Sequence, residues 1–189
     1  MIHQVFQFLA DQINGYLRRR VDDPVHFTHY VDVLPAGDGI NNDQAVRMIL
    51  VNVEEEKVFR SQQPTIRNID SQRAYLAPEV KLNLFILFSA HYSNTTYKDA
   101  LQAISYIILF FQSHSTFNNQ GHPALGTIEQ LNIELHSLNF EQQNQIWASL
   151  GDKYKPSVMY KIRMLVVQDQ DIEKSTPAIM GVETNLVSG

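Results

Sequence analysis

The chain has 189 residues, 44% hydrophobic and 19% charged, with 20 acidic against 15 basic side chains and a net charge of −5. That length fits one domain burying about 70% of its unfolded surface, and the composition argues against global disorder. The acidic balance speaks against a general nucleic-acid binder; the absence of cysteine excludes disulfides, thiol nucleophiles and cysteine-based zinc sites, and fits synthesis in the cytoplasm.

Ile2, Val5, Phe6, Leu9, Ile13, Tyr16 and Leu17 recur at helical spacing, which predicts an amphipathic helix from Ile2 to Arg20. Arg18, Arg19 and Arg20 fall in its last turn, at the negative end of the helix dipole, and Asp22, Asp23 and Pro24 break it. A strand is expected near Phe27 to Leu34, ended by the turn Pro35-Ala36-Gly37-Asp38-Gly39. A second runs from Ala45 to Glu54, apolar on both faces and therefore central, with its acidic end emerging at a surface. Glu55 to Ala77 show no sustained period and read as a covering or functional loop.

Val80 to Phe88 is the most apolar strand of the chain, with Val80, Leu82, Leu84, Ile86 and Phe88 on one face and Phe85 and Leu87 on the other. Asn94, Thr95 and Thr96 are cap candidates for a helix ending near His114. Ala100, Leu101, Ile104, Ile107, Ile108 and Phe111 form its stripe, and Tyr106, Leu109 and Phe110 make the opposite side apolar too. A helix of that kind is covered on both sides, by the Glu55–Ala77 segment or by a neighbouring subunit. After the turn-rich Asn118 to Pro123 comes an alternating strand from Leu131 to His136. Asn139 caps a short helix from Phe140 to Leu150, and Gly151 sits where a left-handed terminator belongs. The last strand, Ser157 to Gln168, places Val158, Tyr160, Ile162, Met164 and Val166 on one face and Lys161 and Arg163 on the other.

These elements predict an α+β (mixed α/β) domain with one mainly antiparallel sheet packed by two to three helices. A single domain spans residues 1–168, and 169–189 form a tail or arm. Nothing targets the chain to a membrane: the first residues lack a basic segment, and the longest strongly apolar run, Tyr106 to Phe111, falls far below the ~18 residues that span a bilayer.

Signs of catalysis are sparse. The one close histidine pair, His26 and His29, would point to opposite strand faces, and no carboxylate set accompanies it, so no metal is expected. Asp38 to Asp43 resembles a calcium loop in composition only. Neither a phosphate loop nor a nucleophile elbow is present, and no cofactor is expected. Glu54, Glu55 and Glu56 are consecutive and point alternately. That fits a solvated strand end or a contact between subunits better than a catalytic pair, and the chain is read as a non-enzyme.

Several ordered segments carry a family resemblance. Ile2, Val5 and Leu9, followed by Asn14-x-Tyr16-Leu17-Arg18, are similar to the start of the tail-terminator or cap proteins of extracellular contractile injection systems, which are phage-tail-like particles. Val51-Asn52-Val53-Glu54-Glu55-Glu56 resembles that family's acidic strand end. Leu82-x-Leu84-x-x-Leu87-Phe88-Ser89-Ala90 with Tyr97-x-x-Ala100-Leu101 resembles its central strand and helix. Gly151 to Arg163 resembles its Leu-Gly-x-x-Tyr-x-Pro-Ser-x-x-Tyr-Lys-x-Arg signature.

The resemblance implies a phage tail-terminator-like fold. It also implies a structural cap, a hexameric ring of copies on the last layer of the inner tube protein and of the sheath protein, which halts polymerisation and anchors the sheath. An adaptor for cargo or baseplate of the same particle is the alternative function. Arg18, Arg19, Arg20, Glu54, Glu55, Glu56, Tyr160, Lys161 and Arg163 are the expected contact residues, toward tube, sheath or other copies. Partners would be proteins, not nucleic acid or membrane, and the chain would be made in the cytoplasm before joining an extracellular or intracellularly held particle. Family members often extend further at the C-terminus, so an end at Gly189 implies a short member or one of several related caps.

Overall fold

A computed structural model of the protein describes residues 1–20, 30–33, 44–56, 65–69, 72–76, 80–166 and 175–176. In chain order the elements are α1 (Ile2–Arg20), β1 (Tyr30–Asp32), β2 (Gln44–Glu55), β3 (Thr65–Ile69), β4 (Gln72–Leu76), β5 (Val80–Tyr92), α2 (Tyr97–Ser113), β6 (Thr116–Asn118), β7 (Ile128–Leu135), α3 (Phe140–Leu150), β8 (Ser157–Val166) and β9 (Ser175–Thr176). Six strands make one sheet in the order β1-β2-β5-β8-β7-β6, antiparallel except for the β1–β2 pair, which is parallel. This is the mixed α/β domain, mainly antiparallel, that the periodicities predict.

The long strands are central for a physical reason. In β5, Leu84, Ile86 and Phe88 face one side and Phe85 and Leu87 the other, so both faces need cover; Leu84, Ile86 and Phe88 are fully buried. One face packs under α1 and α2, joining Val5, Leu9, Ile13 and Leu17 of α1 to Ile107 and Phe110 of α2 and to Met48, Ile162 and Leu131 of the sheet. Rings of Phe88, Phe111 and Tyr160 meet there at 4.5–5.8 Å between centroids, each such pair adding about 0.5–1.5 kcal/mol beyond burial. The other face carries a smaller cluster in which Trp147 of α3 covers Ile49, Leu87 and Met159.

Side-chain amides set two of the joints. Asn14 brackets the backbone of β1, its Nδ2 donating to the Val31 carbonyl at 3.0 Å and its Oδ1 accepting from the Val31 N–H at 2.8 Å. It thereby fixes α1 to the sheet edge as a strand neighbour would. Asn139 and Gln142 form a reciprocal capping box at the start of α3, and Gly151 ends the helix at φ 67°, a conformation that costs a residue with a Cβ.

Four expectations need correction. The segment from Glu55 to Ala77 contains an antiparallel hairpin, β3 with β4, and the tail's Ser175–Thr176 adds to β4 of its own chain. Its short strands, with Arg67, Asn68 and Arg73 among the apolar residues, give no clean alternation to read. The short β6 also goes unannounced, since Thr116-Phe117-Asn118 offers one apolar residue. Third, α2 has no side-chain cap: Asn94–Thr96 form a single 3-10 turn that leads into it. Fourth, the two sides of α2 do not divide as its spacing predicts: Phe110, expected on the outer side, is buried in the main core at 1% exposure, whereas Leu101, expected in the stripe, is 46% exposed, as is Leu109 at 47%. The Pro35–Gly39 turn, the Asp38–Asp43 loop and the His26/His29 pair lie outside the described residues.

Candidate functional site

The uncovered half of the sheet face that carries α3 is polar, and strand register explains its composition. Glu54 of β2 stands opposite Asn83 of β5, Asn83 opposite Arg163 of β8, and Arg163 opposite Asn132 of β7. One row further along, Asn52, Phe85, Lys161 and Glu134 follow one another across the same four strands. Arg163 Nη2 donates to Glu134 Oε2 at 3.1 Å, with both side chains about half exposed, so this pair is worth at most about 1 kcal/mol. Lys161 Nζ lies 5.9 Å from the centre of the Phe85 ring.

A bulge at Val51 shifts the register of β2 and turns its acidic end. Asn52 Nδ2 donates to Glu54 Oε1 at 3.2 Å, and Asn83 Nδ2 donates to Glu56 Oε2 at 3.0 Å. Glu56, Lys81, Asn83, Asn132, Arg163 and Leu165 line a groove of about 170 Å³ there. Asn83 is only 4% exposed, and its Oδ1 meets no donor. Two neighbouring grooves beside α3 hold about 230 and 280 Å³. All three are below the ~300–1,000 Å³ usual for small-molecule sites.

The structure therefore brings Glu54, Glu56, Lys161 and Arg163 to one face. Glu55 pairs with Leu82 and belongs to the opposite side of the sheet. Arg18, Arg19 and Arg20 are exposed at the end of α1, away from this face, with Arg20 packed 5.3 Å over the Tyr16 ring. Tyr160 has to be removed from the contact set. It is 3% exposed in the main core, and burial pushes its hydroxyl up to about 12. Its position on the apolar side of the last strand already signalled this. Asn83 and Asn132 were missed; an amide on the Phe85/Leu87 side of the most apolar strand was the available signal.

One buried polar cluster lies elsewhere on this face. Ser89 Oγ and His91 Nε2 are 3.0 Å apart, beside Arg47, whose Nε has no partner. Burial, then the charges of Arg47 and Lys155, hold His91 at about 4, with Asp152 opposing them. The pair does not form a nucleophilic triad. Ser89 is fully buried, out of reach of a substrate. Burial works to raise the Asp152 carboxyl, but hydrogen bonds from Lys155 and the Lys153 N–H outweigh it and hold it below its ordinary value. Among the described residues no group of three His, Cys, Asp or Glu side chains could hold a metal, and no helix is long and apolar enough to cross a membrane.

Among the described residues, a sheet with a charged open face, an exposed apolar helix side and shallow grooves defines a domain suited to macromolecular contact. The chain belongs to the Pvc16 N-terminal domain family, whose model matches residues 4–180. No curated protein sequence matches it. Its fold is similar to that of the sheath/tube terminator of the PVC extracellular contractile injection system in the extended state. That match has a TM-score of 0.67 and 14% identity, and covers 100% of this chain and 64% of the other. It is also similar to the tube-terminating cap of the anti-feeding prophage, with a TM-score of 0.60 and 16% identity over 93% of this chain and 60% of that one. The chain thus spans about three fifths of the length of these two proteins. The family resemblance carried by the sequence motifs is borne out.

Proposed function

We propose that this chain is a structural terminator of a contractile injection system, a ring of copies seated on the last layer of the inner tube and sheath. One observation carries the reading. The family model runs across nearly the whole chain, and the same span shares its fold with a protein described as a sheath/tube terminator. The charged sheet face supports it, because repeating modest ion pairs around a ring multiplies contacts that are weak singly. Glu54, Glu56, Lys161 and Arg163 are the contact residues of this reading, and charge complementarity there sets register on the partner.

Electron microscopy of particles assembled with and without the protein tests this reading. Overlong or ragged tubes in its absence are the expected result. Tubes of normal length with a normally held sheath would refute the terminator function, and if cargo were missing from them an adaptor would be the correct reading.

A further inference from the structure

Arg47 is a buried cation that no carboxylate among the described residues neutralises. It is 6% exposed, stands opposite Ser89 in the β2–β5 pair, and its Nε is sealed from solvent without an acceptor. Its two Nη groups are not sealed, and neither meets an acceptor among the described residues. Two carboxylates lie in the neighbourhood, and each is engaged elsewhere. Asp32, the register partner of Arg47 in β1, accepts from the Val33 N–H at 2.8 Å. Asp152 accepts from Lys155 and from the Lys153 N–H. Buried charges in folded proteins are paired as a rule. The guanidinium of Arg47 therefore has unused donors, arranged in the planar fork that matches a carboxylate.

The surroundings favour a carboxylate that arrives on a protein. The loop of residues 151–156, between α3 and β8, is held to the sheet by the Ala90 N–H, which donates to the Pro156 carbonyl at 2.9 Å. Lys155 of this loop and Arg47 both act on His91, so the two cations share one neighbourhood. Lys153 and Tyr154 of the same loop are exposed, Tyr154 at 61%. A recessed arginine beside an exposed tyrosine is a combination enriched at the energetic centres of interfaces. A chain laid over the loop would also exclude water from the ion pair and strengthen it, which a lone ion at an open surface does not do.

We infer that Arg47 binds a carboxylate side chain of a protein that docks over the 151–156 loop, with Lys153 and Tyr154 flanking the contact. The inference rests on the terminator reading only in taking that protein to be a component of the same particle.

Nuclear magnetic resonance on the full chain tests the site itself. The Arg47 Nε–H signal is assigned by its loss in Arg47→Met, and the probe is glutamate blocked as its N-acetyl amide, which leaves one side-chain carboxylate. A saturable shift with this probe is expected, and none with sodium chloride at equal ionic strength. Lack of a saturable shift overturns the site. Urea denaturation tests the premise. Because the charge is unpaired, Arg47→Met should leave the midpoint unchanged or raised. A lowered midpoint that couples to Asp32→Asn in a double-mutant cycle makes Asp32 an internal partner and overturns the inference. Retention on particles tests the protein partner. The folded Arg47→Met chain should be retained about tenfold less than the parent or worse, with Arg47→Lys intermediate because it keeps the charge and loses the fork. Unchanged retention beside a saturable shift leaves a free carboxylate as the occupant and refutes the docked protein. A failed titration with tubes that still end cleanly refutes this site alone, whereas tubes unaffected by deletion of the protein refute the terminator function itself.

Discussion

His91 gives the fold a measurable acid sensitivity. Its imidazole is 7% exposed, bonded to Ser89, and faced by Arg47 and Lys155, with Asp152 also nearby. Burial and the two cations lower it from its ordinary 6.5 to about 4 in the folded chain. Above the unfolded value both states hold a neutral ring and His91 has no pH effect. As pH falls below 6.5 the unfolded chain binds a proton that the native chain refuses, so stability is lost down to about pH 4. The loss reaches about 2 kcal/mol at pH 5 and about 3 kcal/mol once both states are protonated. Urea denaturation at a series of pH values, comparing the protein with His91→Gln, isolates this contribution from the carboxylates. Glutamine retains a hydrogen-bonding group for Ser89 and has no titration. The variant should lose about 2 kcal/mol less than the parent between pH 7 and pH 5. Parallel pH profiles, or a His91 titration near 6.5 by NMR, would refute the reasoning.

Asn139→Ala removes the capping box of α3 and should cost about 1 kcal/mol in denaturant midpoint analysis, with the sheet unchanged. Trp147→Ala removes the buried ring that α3 packs against Ile49, Leu87 and Met159. It should cost about 3–5 kcal/mol, read by the same assay, and raise hydrogen exchange in α3 before the main core opens. Replacing Glu54 and Glu55 by glutamine should change stability by no more than about 0.5 kcal/mol, because both lie at a strand end. Binding to tube ends should weaken in a pull-down and lose part of its salt dependence.

Much of the fold was legible because the apolar periods are long. Seven positions of α1 and the two-sided run of β5 leave no alternative assignment, and Asn139 with Gly151 marks both ends of α3 through local chemistry alone. The shortest strands were legible unevenly. β1, Tyr30–Asp32, falls inside the strand expected at Phe27 to Leu34, although its tie to Asn14 of a distant helix is a contact that spacing does not reveal, whereas a three-residue element such as β6 has no period. The hairpin of β3 and β4 is likewise fixed by pairing rather than by its own pattern. At the site, charge was visible and its geometry was not. The alternation of Glu54 to Glu56 was readable, and Glu55 does belong to the other side, but which charges of other strands stand beside them was not. Asn83 matters through its place in a cross-strand row, which depends on register. Tyr160 was misplaced by counting it with its charged neighbours instead of following its alternation.

The bulge at Val51 has a consequence beyond aiming side chains. Strand β1 covers only Ala45 to Arg47 of β2, so among the described residues the outer rim of β2 from Met48 to Glu55 has no strand beside it. A flat rim of that length invites a further chain to hydrogen-bond along it, and stacking of that kind would lengthen an assembly without limit. Here the bulge bends the rim, the Asn52 side chain occupies the Val53 N–H at 2.9 Å, and two carboxylates follow. A protein whose proposed task is to end a polymer carries, in its own backbone, protection against seeding one.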